Sequence, residues 1–247
     1  MKKCMSTTSL LGAIAAATLL ANSAVAETVR MGTEGAYPPY NFVNDSGEID
    51  GFERKLGDKL CEIAELECTW VKNDWDTIIP NLVSGNYDVI IAGMSITAER
   101  DETIDFSQEY YPPDPSAYLA LAGTKDEAVG GIVAAQTATI QASYVTESGA
   151  TLVEFATPDE TIAAVKNGEA DAVLADDAFL KPFVKESGGD LIFLGPTVQI
   201  GGGVGMGFRE SDTELKAKFD AAIDEMKKDG SLNELIAEWF DGYEANY

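Results

Sequence analysis

Histidine is absent from the 247 residues. That excludes histidine-activated nucleophiles, a histidine general base and every metal site that relies on imidazole. Positive charge is scarce too: 17 lysines and arginines stand against 42 acids, a formal charge of −25 at neutral pH. So acidic a chain repels phosphate backbones and anionic membrane surfaces, which argues against nucleic acid as a partner and favours solubility, particularly where salt screens the self-repulsion. The same field could draw in a cationic ligand, although a solvated acidic coat is the plainer account. Cysteine is limited to three residues, and the one long apolar run is Leu10 to Leu20.

That run explains the N-terminus. It follows Lys2 and Lys3 and precedes the small-x-small pattern Ala24-Val25-Ala26. This layout predicts a secretory signal peptide over residues 1–26, cut after Ala26, because the run is too short for a comfortable membrane span. Cys4 lies ahead of the run, so a lipid-anchored N-terminus is not indicated. Removing residues 1–26 takes away two lysines and no acids, which moves the formal charge from −25 to −27. Cys61 and Cys68 remain, in LCEIAELEC. In an oxidising compartment such a pair usually forms a disulfide; two thiols cannot close a zinc site, and the spacing is not C-x-x-C. The bridge would staple a helix end to a strand, with a structural role.

Past residue 27, short β-branched runs alternate with amphipathic stretches. Strands are expected at residues 29–32, 69–71, 89–92, 118–121, 132–135, 152–155, 172–174, 191–194 and 204–208. Helices are expected near residues 53–65, 77–84, 139–146, 157–167 and 177–186, with two more after Ser211. The class is α/β. The proline-rich YYPPDP (110–115) and the glycine run GGGVGMG (201–207) break the pattern. Read as crossovers, they divide the chain into a first lobe of 27–111 and 207–247, hinges at 112–116 and 201–206, and an inserted second lobe of 117–200. A ligand would sit in the cleft between lobes. The glycine run fails the G-x-G-x-x-G spacing of a dinucleotide loop, so a hinge is the better reading.

The chemistry concentrates in IIAGMSITAERDETIDFS, residues 90–107. Arg100 offers a planar, permanently charged fork that can grip both oxygens of a carboxylate, Gly93 allows close approach to the backbone, and Ser95 supplies a hydroxyl. Locally, Arg100 could equally pair with Glu99, Asp101 or Glu102 on a solvated helix face. Asp176, ending ADAVLAD, reads alone as a helix N-cap, with Asp177 as an alternative. Tyr37 in YPPYN and Trp75 in NDWDT lie among polar or turn residues, so neither reads cleanly as one side of an apolar helix. Tyr40 and Phe42 are assigned to packing.

The ordered segments GTEGAYPPYNF, IDGFERKLGDKLCEIAELEC, DWDTIIPNLVSGNYDVIIAGMSITAER, IDFSQEYY, ADAVLAD and DTELKAKFDAAIDEMKKDGSLNELIAEWF cover nearly all of the mature chain. Together they resemble the periplasmic polar amino-acid-binding proteins of ABC importers, in the subgroup that binds lysine, arginine, ornithine and histidine. The resemblance implies a two-lobed periplasmic-binding-protein fold of type II, each lobe a mixed sheet flanked by helices. It also implies a monomer that passes an amino acid to a membrane permease, without a cofactor. Arg100 matches the family clamp for the ligand carboxylate, with Gly93 and Ser95 beside it, and Asp176 matches the carboxylate that receives the α-ammonium.

Tyr37 and Trp75 match the aromatic pair that sandwiches the ligand side chain. Glu34 matches an acid that faces a distal cation in the basic amino-acid binders; its alternative is a surface carboxylate, and related binders of neutral amides such as glutamine also carry an acid nearby. Thr139 fits a hydroxyl position at a helix N-terminus, but AAQTATIQ departs from the family pattern: Thr137 stands for the usual glycine, Ala138 lacks a hydroxyl, and Ile140 replaces a residue that is often polar. A few relatives have acquired dehydratase chemistry, and Glu34 with Asp176 could act as an acid/base pair. Against an enzyme, Gly93 to Thr97 fails G-x-S-x-G, and no histidine could activate a serine. A sensor domain on the same fold is a further alternative.

Overall fold

A computed structural model describes Met1, residues 28–241 and Tyr247. The cleavage pattern at Ala24 to Ala26 and the apolar run before it therefore lie outside the described residues. The chain begins with β1 (Thr28–Thr33), β2 (Ala36–Tyr37), β3 (Asn41–Val43), β4 (Ile49–Asp50), α1 (Phe52–Ile63) and β5 (Glu67–Lys72). A 3-10 turn at Trp75–Thr77 leads into α2 (Ile78–Val83), β6 (Val89–Ile90), α3 (Ala98–Asp101) and β7 (Asp105–Phe106). Next come β8 (Ser116–Leu121), β9 (Ile132–Gln136), α4 (Ile140–Ser148), β10 (Thr151–Phe155), α5 (Pro158–Asn167), β11 (Ala172–Asp176), α6 (Asp177–Glu186) and β12 (Leu191–Val198). The last elements are β13 (Gly207–Phe208), α7 (Thr213–Asp229) and α8 (Ser231–Trp239).

Two five-stranded mixed sheets result. The first runs β5-β1-β6-β13-β7, and the second β10-β9-β11-β8-β12. In each, three parallel strands are followed by an antiparallel one, β13 or β8, and then by an edge strand that pairs antiparallel with it. A small antiparallel sheet, β2-β3-β4, stands apart. The chain passes from the first sheet to the second between β7 and β8, and returns between β12 and β13.

Each sheet has its own core. In α1, Phe52, Leu56 and Leu60 recur every four residues and are fully buried. That stripe packs with Phe219 and Ile223 of α7 and Leu232 and Ile236 of α8. Each such side chain contributes about 2 kcal/mol on leaving water. The second core gathers Leu119, Val173, Phe179 and Leu180 around β8, β11 and α6. α5 starts where Thr157 and Glu160 form a reciprocal capping box and Pro158 takes the first turn, where no amide bond is lost. Cys61 and Cys68 form the expected disulfide, tying the last turn of α1 to β5.

The strand expected over 204–208 is shorter, because Val204 leaves it to bridge Ser95 and Tyr111. The glycine run is thereby hydrogen-bonded on both sides. Val204 N donates to Tyr111 O at 2.8 Å, and Ile96 N donates to Gly203 O at 2.9 Å. A Cβ on Gly203 would lie 2.7 Å from the Cβ of Glu109, so only glycine permits this approach.

Candidate ligand-binding site

The pocket is assembled from residues near the carboxyl ends of parallel strands in both sheets, the usual ligand position in α/β architectures. In the first sheet β6 stops at Ile90, and Gly93 adopts the left-handed φ of +61°. Its amide donates to Glu53 Oε1 at 2.6 Å, and a Cβ there would come to 3.5 Å from Tyr37 Cδ1. Thr97 then caps α3, its Oγ1 accepting from Arg100 N at 3.2 Å. Arg100 is held from two sides. Its Nη1 donates to Ser95 O at 2.8 Å, and its Cζ sits 5.3 Å from the centroid of the Trp75 ring. Among the described residues no carboxylate comes within 4.0 Å of the guanidinium, so pairing with Glu99, Asp101 or Glu102 is not what holds it. Burial pulls Arg100 down to about 10, opposed by Asp176 and Glu99, and it stays charged at neutral pH.

Asp176 approaches from the other sheet, at the end of β11. Tyr37 Oη donates to its Oδ2 at 2.9 Å, and Gln141 Nε2 donates to its Oδ1 at 2.8 Å. Burial raises it to about 6, against the Tyr37 bond and the charge of Arg100. Asp176 occupies the N-cap position of α6 but makes no side-chain capping bond. Asp177 is instead the first residue of the helix, paired with Lys181 at 2.6 Å, so neither aspartate caps it. The ring of Tyr37 stacks on Phe179 at 4.4 Å, which commits one face to packing while its hydroxyl orients Asp176.

Glu34 follows β1 and is only 4% exposed, so it is not a surface carboxylate. Gln136 Nε2 donates to its Oε1 at 2.6 Å and also to Ala156 O at 3.1 Å. Burial pushes Glu34 up to about 7; the Gln136 bond and the charge of Lys72 act the other way. Trp75 reaches across the cleft, donating from Nε1 to Ala138 O at 3.2 Å. Ala138, not Thr137, carries the left-handed φ of this loop, +58°. Thr139 caps α4: its hydroxyl donates to Gln136 O at 2.7 Å and accepts from Ala142 N at 3.2 Å. That hydroxyl is therefore engaged within its own loop.

All eight residues singled out in the sequence, Glu34, Tyr37, Trp75, Gly93, Ser95, Arg100, Thr139 and Asp176, line one narrow pocket between the two sheets. Ala92, Gln136, Ile140 and Gln141 complete the wall. Sequence reasoning missed Gln136 and Gln141, although both lie in the quoted AAQTATIQ; what they do depends on carboxylates supplied from elsewhere in the fold. It also missed Asp114 in the first crossover, which is buried, accepts from Ala178 N at 3.1 Å and is raised to about 7 by that burial and by Asp176. One cation and two carboxylates thus face one enclosed space, an arrangement that can receive a zwitterion carrying a further positive group. Among the described residues no group of three or more metal-ligating side chains is arranged to hold an ion, and no helix is long and apolar enough to cross a membrane.

Two α/β lobes joined by two crossovers, with a polar pocket between them, define a two-lobed solute-binding protein. The chain belongs to the bacterial extracellular solute-binding proteins, family 3, whose model matches residues 29–242. It is 34% identical to the lysine/arginine/ornithine-binding periplasmic protein of Escherichia coli (strain K12), over 89% of this chain and 90% of that one. The L-arginine-binding protein of Pseudomonas aeruginosa is also 34% identical, over 94% of this chain and 95% of its own. Among solved structures, a periplasmic His/Glu/Gln/Arg/opine family-binding protein from Silicibacter pomeroyi in complex with lysine is 70% identical. It superposes with a TM-score of 0.86, covering 89% of this chain and 100% of that one.

Proposed function

We propose that this protein is an exported, monomeric receptor that closes around one basic L-amino acid and delivers it to an ABC permease. Arg100 holds the ligand carboxylate, with the Ser95 hydroxyl beside it. Asp176 takes the α-ammonium, Glu34 takes the distal cation, and Trp75 with Tyr37 flanks the aliphatic stem. The observation that carries this reading is the meeting of Arg100, Asp176 and Glu34 in one pocket formed by both lobes. Opposed charges on a bound zwitterion are worth far more in such an enclosed space than in water. Similarity to proteins named for lysine, arginine and ornithine supports the choice of ligand class.

The lobes are residues 27–111 with 207–247, and 117–200, moving about hinges at 112–116 and 201–206. The leader is removed after Ala26 and the mature protein works in the periplasm; the intact mass of the secreted protein would report the cut. Binding without turnover is the expected activity. Calorimetric titration with arginine, lysine, ornithine, histidine, glutamine and glutamate tests the whole reading: a basic amino acid should bind tightest. Tightest binding of glutamate would refute the role given to Glu34.

A further inference from the structure

Glu34 and Gln136 come from different lobes, after β1 and at the end of β9, and they meet at 2.6 Å inside the ligand pocket. Gln136 is held by more than this contact, because the same amide nitrogen also donates to Ala156 O at 3.1 Å. Both hydrogens of that nitrogen are thereby used, and the amide cannot swing away without leaving a carbonyl unpartnered. Both side chains are buried. The consequence falls on the carboxylate: Oε1 of Glu34 is engaged by the protein, and Oε2 has no hydrogen-bond partner among the described residues.

Cationic ligands differ in how many oxygens they need. A guanidinium binds a carboxylate best through two parallel N–H···O bonds, which require both oxygens on one edge. A primary ammonium is a compact point charge that needs only one. We infer that Gln136 is a positioning residue for specificity: by occupying one acceptor site of Glu34 Oε1 and fixing the carboxylate's orientation, it leaves Oε2 as the fully open acceptor and disfavours the two-oxygen edge a guanidinium fork needs, which favours a distal primary ammonium, as in lysine or ornithine. This rests on the basic-ligand reading given above. The charged groups around Glu34 do not provide a second fork. Lys72 and Asp74 act on it from the first lobe and Asp159 from the start of α5, all through space, and no cation among the described residues lies within 4.0 Å.

The test compares lysine, ornithine, arginine and glutamine by calorimetry on the wild-type protein and on Gln136→Met, which keeps the length and apolar stem but cannot donate. Wild-type protein should prefer lysine to arginine by about tenfold, the worth of one charge-assisted bond, and the variant should bring that ratio to about one. The pH dependence supplies a second readout. Lysine affinity should weaken as pH falls and Glu34 takes up a proton. In Gln136→Met the midpoint of that loss should move upward, because the bond favouring the ionised form is gone. Should circular dichroism find Gln136→Met unfolded, Gln136→Leu replaces it with the same expected loss of lysine preference. A wild-type preference for arginine, or an unchanged ratio in a folded variant, overturns this inference alone. Tighter binding of glutamine than of any basic amino acid overturns the basic-ligand reading as well.

Discussion

At the scale of the residue, Arg100 is distinguished by what holds it. A backbone carbonyl and an aromatic face fix the guanidinium, and no described carboxylate of the protein pairs with it. Its charge is thus left without an internal ion pair, as the proposed carboxylate clamp requires. Arg100→Lys keeps the charge and loses the fork; it should weaken every amino-acid ligand by about thirtyfold or more, a cost of about 2–5 kcal/mol, measurable by titration calorimetry. Buried acids give the pocket a pH signature. Glu34 and Asp114 are raised to about 7 and Asp176 to about 6, so between the ordinary carboxylate range and those values the folded chain binds more protons than the unfolded one. Their contribution to the stability of the unliganded protein is full below about pH 4 and should be lost as pH rises to about 8. Bound lysine, which favours the ionised carboxylates, should raise the melting temperature more at the upper end of that range. Scanning calorimetry with and without lysine checks both; a flat unliganded profile would contradict the assignment. Asp88 works in the opposite sense and in another range. Burial pushes it up, but hydrogen bonds from Arg30 and Arg209 win and hold it at about 2, so the stability it contributes is lost only as acid approaches that value.

At the scale of the element, the disulfide constrains the short connection between α1 and β5, and neither cysteine lines the ligand pocket. Closing a loop of this length is worth about 2.5 kcal/mol in chain entropy. Reduction, or Cys61→Ser with Cys68→Ser, should lower the melting temperature by about 5–10 °C on scanning calorimetry while leaving ligand affinity unchanged on titration. The helices and the main strands are legible in the sequence because a four-residue apolar repeat, as in Phe52, Leu56 and Leu60, or a short β-branched run, as in Val89 to Ile91, stands out. The strands β2 to β4 are not. They are two or three residues long and lie among turn formers, so no period can emerge, and tertiary pairing alone defines them. β12 likewise runs through Gly195 and Pro196, well past the end that composition suggests, because β8 pairs with it again at Ser116 after an irregularity. Within the site, charges and aromatics announce themselves by type; Gln136 and Gln141 do not, since an amide acquires its role only from the groups it meets.

At the scale of the whole molecule, hydrogen bonds at the pocket cross from lobe to lobe: Tyr37 to Asp176, Trp75 to Ala138 and Gln136 to Glu34. Each involves a residue that also lines the pocket, so in the proposed receptor ligand binding and closure would draw on the same groups. Adding a saturating basic amino acid should make the protein more compact, seen as a smaller radius of gyration in solution scattering. Trp75→Phe should reduce the accompanying change in tryptophan fluorescence, leaving only what Trp70 and Trp239 contribute. The position of β13 between β6 and β7 has a consequence of another kind. For a chain emerging through a membrane N-terminus first, the second sheet is one unbroken stretch and can be finished while the first still lacks β13. The first sheet cannot be complete until β13 joins it, by which point every strand of the second sheet is already present in the chain.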